Sequence, residues 1–128
     1  MWISINEQDM QPLYLQIIAQ IKEQVRKGTL KPGDELPSVR ELADSLGINM
    51  HTVRSAYLRL RDQGIINLRL GRRAVVTSVH KPAHTIEMET EIQARLKELI
   101  TDALLMGFSS EDFCDMVDRQ LDLMKEGE

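Results

Sequence analysis

Cysteine and long apolar runs are scarce in this sequence of 128 residues. The single cysteine, Cys114, excludes an internal disulfide, and one thiol alone cannot build a metal site. No apolar run approaches the roughly 20 residues that a membrane-spanning helix needs. The start, MWISINEQDM, lacks the basic and apolar segments of a signal peptide. We therefore expect a cytoplasmic protein that does not enter a membrane.

The charges are distributed unevenly along the chain. A hydrophobic content of 42% against 28% charged residues is typical of a folded globular protein. The net charge is −4, which by itself argues against a nucleic-acid partner. Residues 1–78 nevertheless carry 11 basic and 8 acidic side chains, whereas residues 79–128 carry 5 and 12. Only the first part is electrostatically compatible with a phosphate backbone.

Apolar spacing and capping residues predict three helices in the basic part. The first covers residues 12–27, where apolar residues recur at helical intervals. Ser38 and Glu41 form the S-x-x-E pattern of a capping box, which opens a second helix ending near Leu46. After Gly47, Asn49 is suited to cap a third helix that ends near Gln63. The segment TLKPGDELPS, which contains two prolines and a glycine, is predicted to be a connection.

The segment IINLRLGRRAVVTSV, residues 65–79, turns to β-rich composition around Gly71 and predicts a two-stranded hairpin, here called the wing. A helix–turn–helix followed by a hairpin is the order of a winged-helix domain. The predicted fold is mainly α with this small hairpin. We assign residues 1–79 to the winged helix-turn-helix domain, 80–84 to a linker containing Pro82, and 85–128 to an appendage of two amphipathic helices.

The third helix has side chains outside its apolar stripe where a recognition helix reads base edges. Met50, His51 and Arg54 share one face, and Asn49 stands at the cap, where it is suited either to cap the helix or to pair with adenine. Arg40, near the start of the second helix, is placed to hold the DNA backbone. The alternative is an ordinary solvated face, which we favour for the later arginines of this helix.

Three cations bracket the turn of the wing. Arg69, Arg72 and Arg73 lie within five residues around Gly71. Such a tip can lie along phosphates or place an arginine in a narrow minor groove. The alternative is a turn that its charges merely keep soluble.

Residues 11–78 of the sequence resemble the DNA-binding domain of the GntR family of bacterial transcription regulators. The matching motifs are G-x-x-L-P-S-x-R-x-L-A at 33–43, L-G-I-N at 46–49, T-V-R-x-A at 52–56 and L-x-x-x-G-I-I at 60–66. The resemblance implies that Arg40 and Arg54 contact DNA. It also adds Ser38 and Thr52 to the DNA-binding candidates, and it marks Gly71 as the wing tip.

The sequence departs from the family at two places. Many relatives carry arginine or proline where Met50 stands, so an arginine that reads a base there is lost, although methionine suits a thymine methyl. The usual glycine–x–glycine wing with a following threonine is replaced by Gly71, Arg72, Arg73 and Ala74. The short tail resembles that of the YtrA-type subfamily, whose two C-terminal helices mainly dimerise.

Physical reasoning also predicts that the tail dimerises. Two helices of about 20 and 14 residues cannot bury both apolar stripes on each other and form a stable unit. A second copy solves this problem, because it gives a symmetric bundle. The alternative is a monomer whose tail packs on the first helix. The predicted dimerisation residues are Ile92, Leu96, Leu99, Ile100, Ala103, Phe113, Met116, Val117, Leu121 and Met124.

Other chemistry has little support in the sequence. His80 and His84 flank Pro82 without a third ligand nearby, so we predict no metal, and no residue pattern indicates catalysis or a cofactor. The function predicted is a homodimeric, sequence-specific repressor that binds double-stranded DNA at a palindromic operator, with an unidentified small-molecule effector as a further candidate partner. The alternative is a winged-helix adaptor whose third helix grips another protein.

Overall fold

The computed structural model describes residues 2–77 and 85–126. Within these residues the elements are α1 Leu13–Lys27, α2 Val39–Leu46, α3 Met50–Asp62, β1 Ile66–Asn67, β2 Val75–Val76, α4 Ile86–Leu105 and α5 Ser110–Glu126. The predicted fold class, mainly α with a small hairpin, is confirmed. The chain forms two compact units, Met1–Val79 and His80–Glu128, while the predicted linker 80–84 lies outside the described residues. No helix in the described ranges is long and apolar enough to cross a membrane.

The first unit is built around α3, which packs against both α1 and α2. Its stripe of Val53, Ala56, Tyr57 and Leu60 is fully buried, as the helical spacing predicts. On α1 the side chains at the centre of the stripe are buried, whereas those at its ends, positions 13 and 25, are half-buried. Fixing one stripe of α3 in this way also fixes which side chains the opposite stripe presents.

The predicted caps set the turn between α2 and α3. The Ser38 hydroxyl accepts a hydrogen bond from the Glu41 amide at 3.0 Å, and the Asn49 side-chain oxygen accepts one from the His51 amide at 2.8 Å. Between them Gly47 adopts φ +67°, a left-handed conformation that costs a residue with a Cβ about 1–2 kcal/mol. The chain therefore ends one helix and begins the next within three residues.

The hairpin is short, with Ile66 opposite Val76 and two residues in each strand. The segment predicted as a plain connection pairs with the other edge of β2. The Leu36 amide donates to the Ala74 carbonyl at 2.8 Å, and the Gly33 amide donates to the Val76 carbonyl at 2.9 Å. Because prolines at 32 and 37 lack amide donors, this pairing stays limited to a bridge.

An N-terminal segment, which the helical spacing did not predict, lies along α1 and is held by three glutamines. Gln24, Gln20 and Gln16 each accept a hydrogen bond from a backbone amide and donate one to the carbonyl of the same residue. Their backbone partners, in order, are Trp2, Ser4 and Asn6.

The glutamines are spaced four residues apart on α1 and their backbone partners two residues apart in the segment, and these spacings match for a geometric reason. Four residues of helix rise about 6 Å, and two residues of extended chain span about 6.6 Å, so glutamines at i, i+4 and i+8 meet every second residue of the extended segment. A carboxamide has the donor and acceptor of a peptide group, and α1 therefore offers the segment the equivalent of a neighbouring strand. The arrangement buries Ile3 in the core cluster.

The second unit consists of α4 and α5, which contact each other. The Thr85 hydroxyl caps α4 by accepting from the Met88 amide at 3.2 Å. At α5 the Ser109 hydroxyl accepts from the Asp112 amide, and the Asp112 carboxylate accepts from the Ser109 amide, both at 3.0 Å. The Ser109 backbone hydrogen bond lowers the pKa of Asp112, and the Ser109 side-chain hydrogen bond lowers it further.

Only Ala103 is buried among the residues that the structure describes in this unit. The other predicted dimerisation residues are half-buried or exposed, with Ile92 at 59% and Leu96 at 44%. Ala103 packs within the single chain and does not belong to the exposed apolar face. As expected from their size, the two helices leave most of their apolar surface uncovered.

The glutamine contacts generate a test of the N-terminal segment. Replacing Gln20 by Ala removes both hydrogen bonds to Ser4, so the Ser4 amide loses its acceptor. Its exchange should become at least about fivefold faster, the factor that corresponds to about 1 kcal/mol. Hydrogen exchange followed by NMR measures this rate. Gln120→Ala, on the exposed surface of α5, is the control and should leave it unchanged. Unaltered Ser4 exchange in Gln20→Ala would contradict the role of the glutamine.

Candidate nucleic-acid interface

The outward face of α3 presents polar and cationic side chains. His51 and Arg54 are exposed, three residues apart and on the side opposite the buried stripe. Within the described ranges no side chain forms an ion pair or hydrogen bond with either of them. An unpaired guanidinium keeps all five donors available, which suits it to phosphate oxygens or to the edge of a guanine.

The start of α3 differs in part from the expectation. Asn49 acts as the cap, so its side-chain oxygen is already engaged by the His51 amide. Met50, expected outside the core, is half-buried and packs against the core cluster. The reason is that Met50 begins the helix beside the angle with α2, where its long side chain finds apolar neighbours. Thr52 is also half-buried.

The start of α2 is fixed to α3 by a partly buried hydrogen bond. The Tyr57 hydroxyl donates to the Pro37 carbonyl at 2.7 Å. Burial raises the pKa of the Tyr57 phenol above its usual value, and the negative charge of Glu41 raises it further. The phenol therefore stays a donor at physiological pH. This bond positions Ser38, whose hydroxyl caps α2, and Arg40, which is exposed without an ion-pair partner in the described residues.

The wing ends in a tight turn. The Arg72 amide donates to the Arg69 carbonyl at 3.2 Å, and Gly71 adopts φ +70° inside the turn. Arg69 and Arg72 are exposed, and neither has an ion pair within residues 2–77 or 85–126. The predicted position of Gly71 at the tip agrees with this geometry.

The third wing cation is engaged. The Arg73 guanidinium lies 2.8 Å from the Glu41 carboxylate of α2, and both side chains are half-exposed. The capping box predicted for α2 is therefore only half formed, because Glu41 turns to Arg73. A pair exposed to this degree adds at most about 1 kcal/mol to stability, but it ties the wing to the helix-turn-helix.

Leu70 is a residue of this surface that sequence reasoning missed. It stands fully exposed in the turn, between Arg69 and Gly71. The sequence contained a signal for it, namely a leucine next to the glycine of the turn. Leucine supplies neither the backbone freedom nor the side-chain hydrogen bonds that residues in turns usually provide.

The helix-turn-helix, the wing and their unpaired cations define a winged-helix DNA-binding protein. A family model described as bacterial regulatory proteins, gntR family, matches residues 13–76. The chain belongs to the GntR family. The HTH-type transcriptional repressor YtrA of Bacillus subtilis (strain 168) is 42% identical over 109 residues, which cover 85% of this chain and 84% of YtrA. This likeness supports the YtrA-type subfamily, and the chain is a DNA-binding transcription regulator and not an enzyme.

Two solved structures match this fold, one over nearly the whole chain and one over part of it. A protein described as a transcriptional antiterminator from Listeria monocytogenes EGD-e matches with a TM-score of 0.85 and 31% identity, over 97% of this chain and 92% of that chain. The DNA-binding domain of AraR in complex with operator ORE1 matches with a TM-score of 0.51 and 26% identity, over 60% of this chain and 94% of that domain.

Tyr57 generates a prediction about alkaline stability. Because its pKa is raised in the folded state, its contribution is complete below the unfolded pKa of about 10 and is lost as the pH rises further, by up to about 1.4 kcal/mol per pH unit. Tyr57→Phe should cost about 1 kcal/mol at neutral pH and show a shallower decline above pH 10. Urea unfolding followed by circular dichroism measures both, with Tyr14→Phe as the control. Equal alkaline declines in Tyr57→Phe and the wild type would contradict the assignment.

Proposed function

We propose that this protein is a homodimeric repressor that binds a palindromic operator through α3 and the wing. The observation that carries the proposal is the set of unpaired cations on one continuous domain, with Arg40 on α2, Arg54 on α3, and Arg69 and Arg72 on the wing. The name of YtrA, a transcriptional repressor, supports repression, and the structure of the AraR DNA-binding domain with an operator supports operator binding. A cytoplasmic location follows for a protein with this task.

The proposed role of each side chain follows from its exposure and from the polar groups that it offers to DNA. Arg54 and His51 enter the major groove, because they are exposed on the face of α3 opposite its buried stripe. Arg40 holds a phosphate and fixes the register, as do the wing cations Arg69 and Arg72. Four further candidates position these groups, since Ser38 and Asn49 cap helices, Gly71 forms the turn and Arg73 pairs with Glu41. Met50, which packs against the core cluster, and the half-buried Thr52 stay DNA-binding candidates on the first turn of α3.

The dimer is proposed from the apolar face of the second unit. Burying a leucine or isoleucine side chain contributes about 1.5–3 kcal/mol, and a two-fold interface uses each residue twice. Several such side chains stand exposed on α4 and α5, so a second copy is the partner that most economically covers them. The proposed face comprises Ile92, Leu96, Leu99, Ile100, Phe113, Met116, Val117, Leu121 and Met124.

A symmetric dimer places constraints on the operator. Two recognition helices related by a two-fold axis require half-sites about one DNA turn apart, about 34 Å, and hence a palindromic sequence. A small-molecule effector that binds between the subunits stays a prediction of the sequence. An electrophoretic mobility shift experiment distinguishes the repressor from the alternative, a winged-helix adaptor. An adaptor would show no salt-sensitive, sequence-selective retardation of DNA.

Arg54 is the residue with which to test base reading. Arg54→Ala should weaken binding to a duplex selected by the wild-type protein from random sequences by about 1–3 kcal/mol, and should weaken binding to unselected DNA much less. Fluorescence anisotropy measures both affinities. Arg59→Ala, an exposed arginine on the same helix, is the matched control and should bind nearly as the wild type does. Equal losses on selected and unselected DNA would remove Arg54 from base reading.

Leu96 is the residue with which to test the dimer. Leu96→Asp places a carboxylate in the proposed apolar face, and we expect the protein to sediment as a monomer. Its affinity for the full palindrome should fall, while its affinity for one half-site stays unchanged. Ala94→Asp adds the same charge on the opposite face of α4 and should remain a dimer. A dimeric Leu96→Asp protein would refute the interface.

A further inference from the structure

The wing carries an apolar side chain that the proposed contacts leave without a role. Leu70 has a relative exposure of 105%, so it touches nothing in its own domain that would shield it from water. Turns favour glycine, asparagine, aspartate, serine or proline, and leucine contributes neither their hydrogen bonds nor their backbone freedom. Here the adjacent Gly71 supplies the positive φ that the turn requires. Leu70 is therefore not needed by the fold.

The charges around Leu70 identify the partner. Arg69 and Arg72 flank the turn, and neither guanidinium is neutralised by a carboxylate in the described part of the chain. An apolar tip between two cations repels other cationic surfaces and is attracted to a polyanion. The same domain presents its recognition helix to DNA, so the polyanion within reach is the duplex on which α3 is placed.

The base of the wing contacts the rest of the domain on both sides. The Arg73–Glu41 ion pair ties the end of the turn to α2. On the other edge, β2 is bonded to the segment before α2, through the Leu36 amide and the Ala74 carbonyl at 2.8 Å. These contacts restrict the base of the hairpin before any partner binds, which reduces the ordering cost that binding has to meet.

From this geometry we infer that Leu70 enters the minor groove beside the recognition site and reads the deformability of one base-pair step. Arg69 and Arg72 would hold the phosphates on either side, while the leucine side chain presses on the sugars and partly unstacks the bases. Pyrimidine–purine steps unstack most easily, so the operator is expected to carry one under the wing. The inference rests on the proposed DNA-binding face.

The test uses duplexes selected by the wild-type protein from random sequences, in full-length protein. Two versions differ only at the step under the wing, a TA step in one and an AT step in the other. We expect the wild type to prefer the TA duplex about tenfold, and Leu70→Ala to reduce that preference to less than twofold. Leu70→Met, which keeps an apolar tip of similar size, should retain most of the preference.

Two further readouts separate the apolar contact from electrostatics. Because Leu70→Ala removes no charge, the salt dependence of binding should stay unchanged. Arg72→Ala removes one phosphate contact from each subunit of the proposed dimer, and should therefore reduce the slope of log K against log salt by about 1.8 in magnitude. A 2-aminopurine at the TA step should brighten when the wild type binds and not when Leu70→Ala binds. An unchanged TA preference in Leu70→Ala, or an equal loss on both duplexes, would overturn the inference. Absence of selective binding by the wild type would instead refute the proposed function.

Discussion

The burial of α3 between α1 and α2 is the constraint on which the DNA-binding surface depends. Once Val53, Ala56 and Leu60 occupy the core, the helix cannot rotate without exposing them, at a cost of several kcal/mol. The opposite stripe, with His51 and Arg54, is then held toward the outside. Hydrophobic packing of α3 therefore determines which of its side chains are available to contact DNA. Tyr57 joins the two roles, since its ring is in the core while its hydroxyl fixes the start of α2.

The two units use their apolar residues differently. The first buries a core of its own and presents polar and cationic side chains, whereas the second leaves its apolar stripes exposed. The charges follow the same division, because residues 79–128 carry 12 acidic and 5 basic side chains. Exposed apolar surface favours association with another apolar surface, and negative charge disfavours contact with DNA. One unit is thereby suited to recognition and the other to assembly.

Local patterns in the sequence were sufficient to predict the helices, the caps at Ser38 and Asn49, and the winged-helix class. What they missed are contacts between positions far apart in sequence. The Arg73–Glu41 pair spans 32 residues, and the glutamines of α1 bind a segment that carries no helical signal. Hydrophobic periodicity predicts neither contact, because it indicates which side chains are buried and not which polar groups form hydrogen bonds or ion pairs with each other. Met50 was misplaced for a related reason: its position on the helix was predicted, but the neighbours that cover it were not.

The overall acidity of the chain bears on how it finds a specific site. Binding to random DNA depends on phosphate contacts, and its strength grows with the number of cations that reach the backbone. A net charge of −4 and the engagement of Arg73 by Glu41 both limit that attraction. Contacts made in the grooves are not weakened in the same way, since hydrogen bonds and apolar contacts to bases depend on fit. Low cationic charge therefore lowers the affinity for competing sites more than the affinity for the operator, and the ratio between the two decides occupancy in a genome.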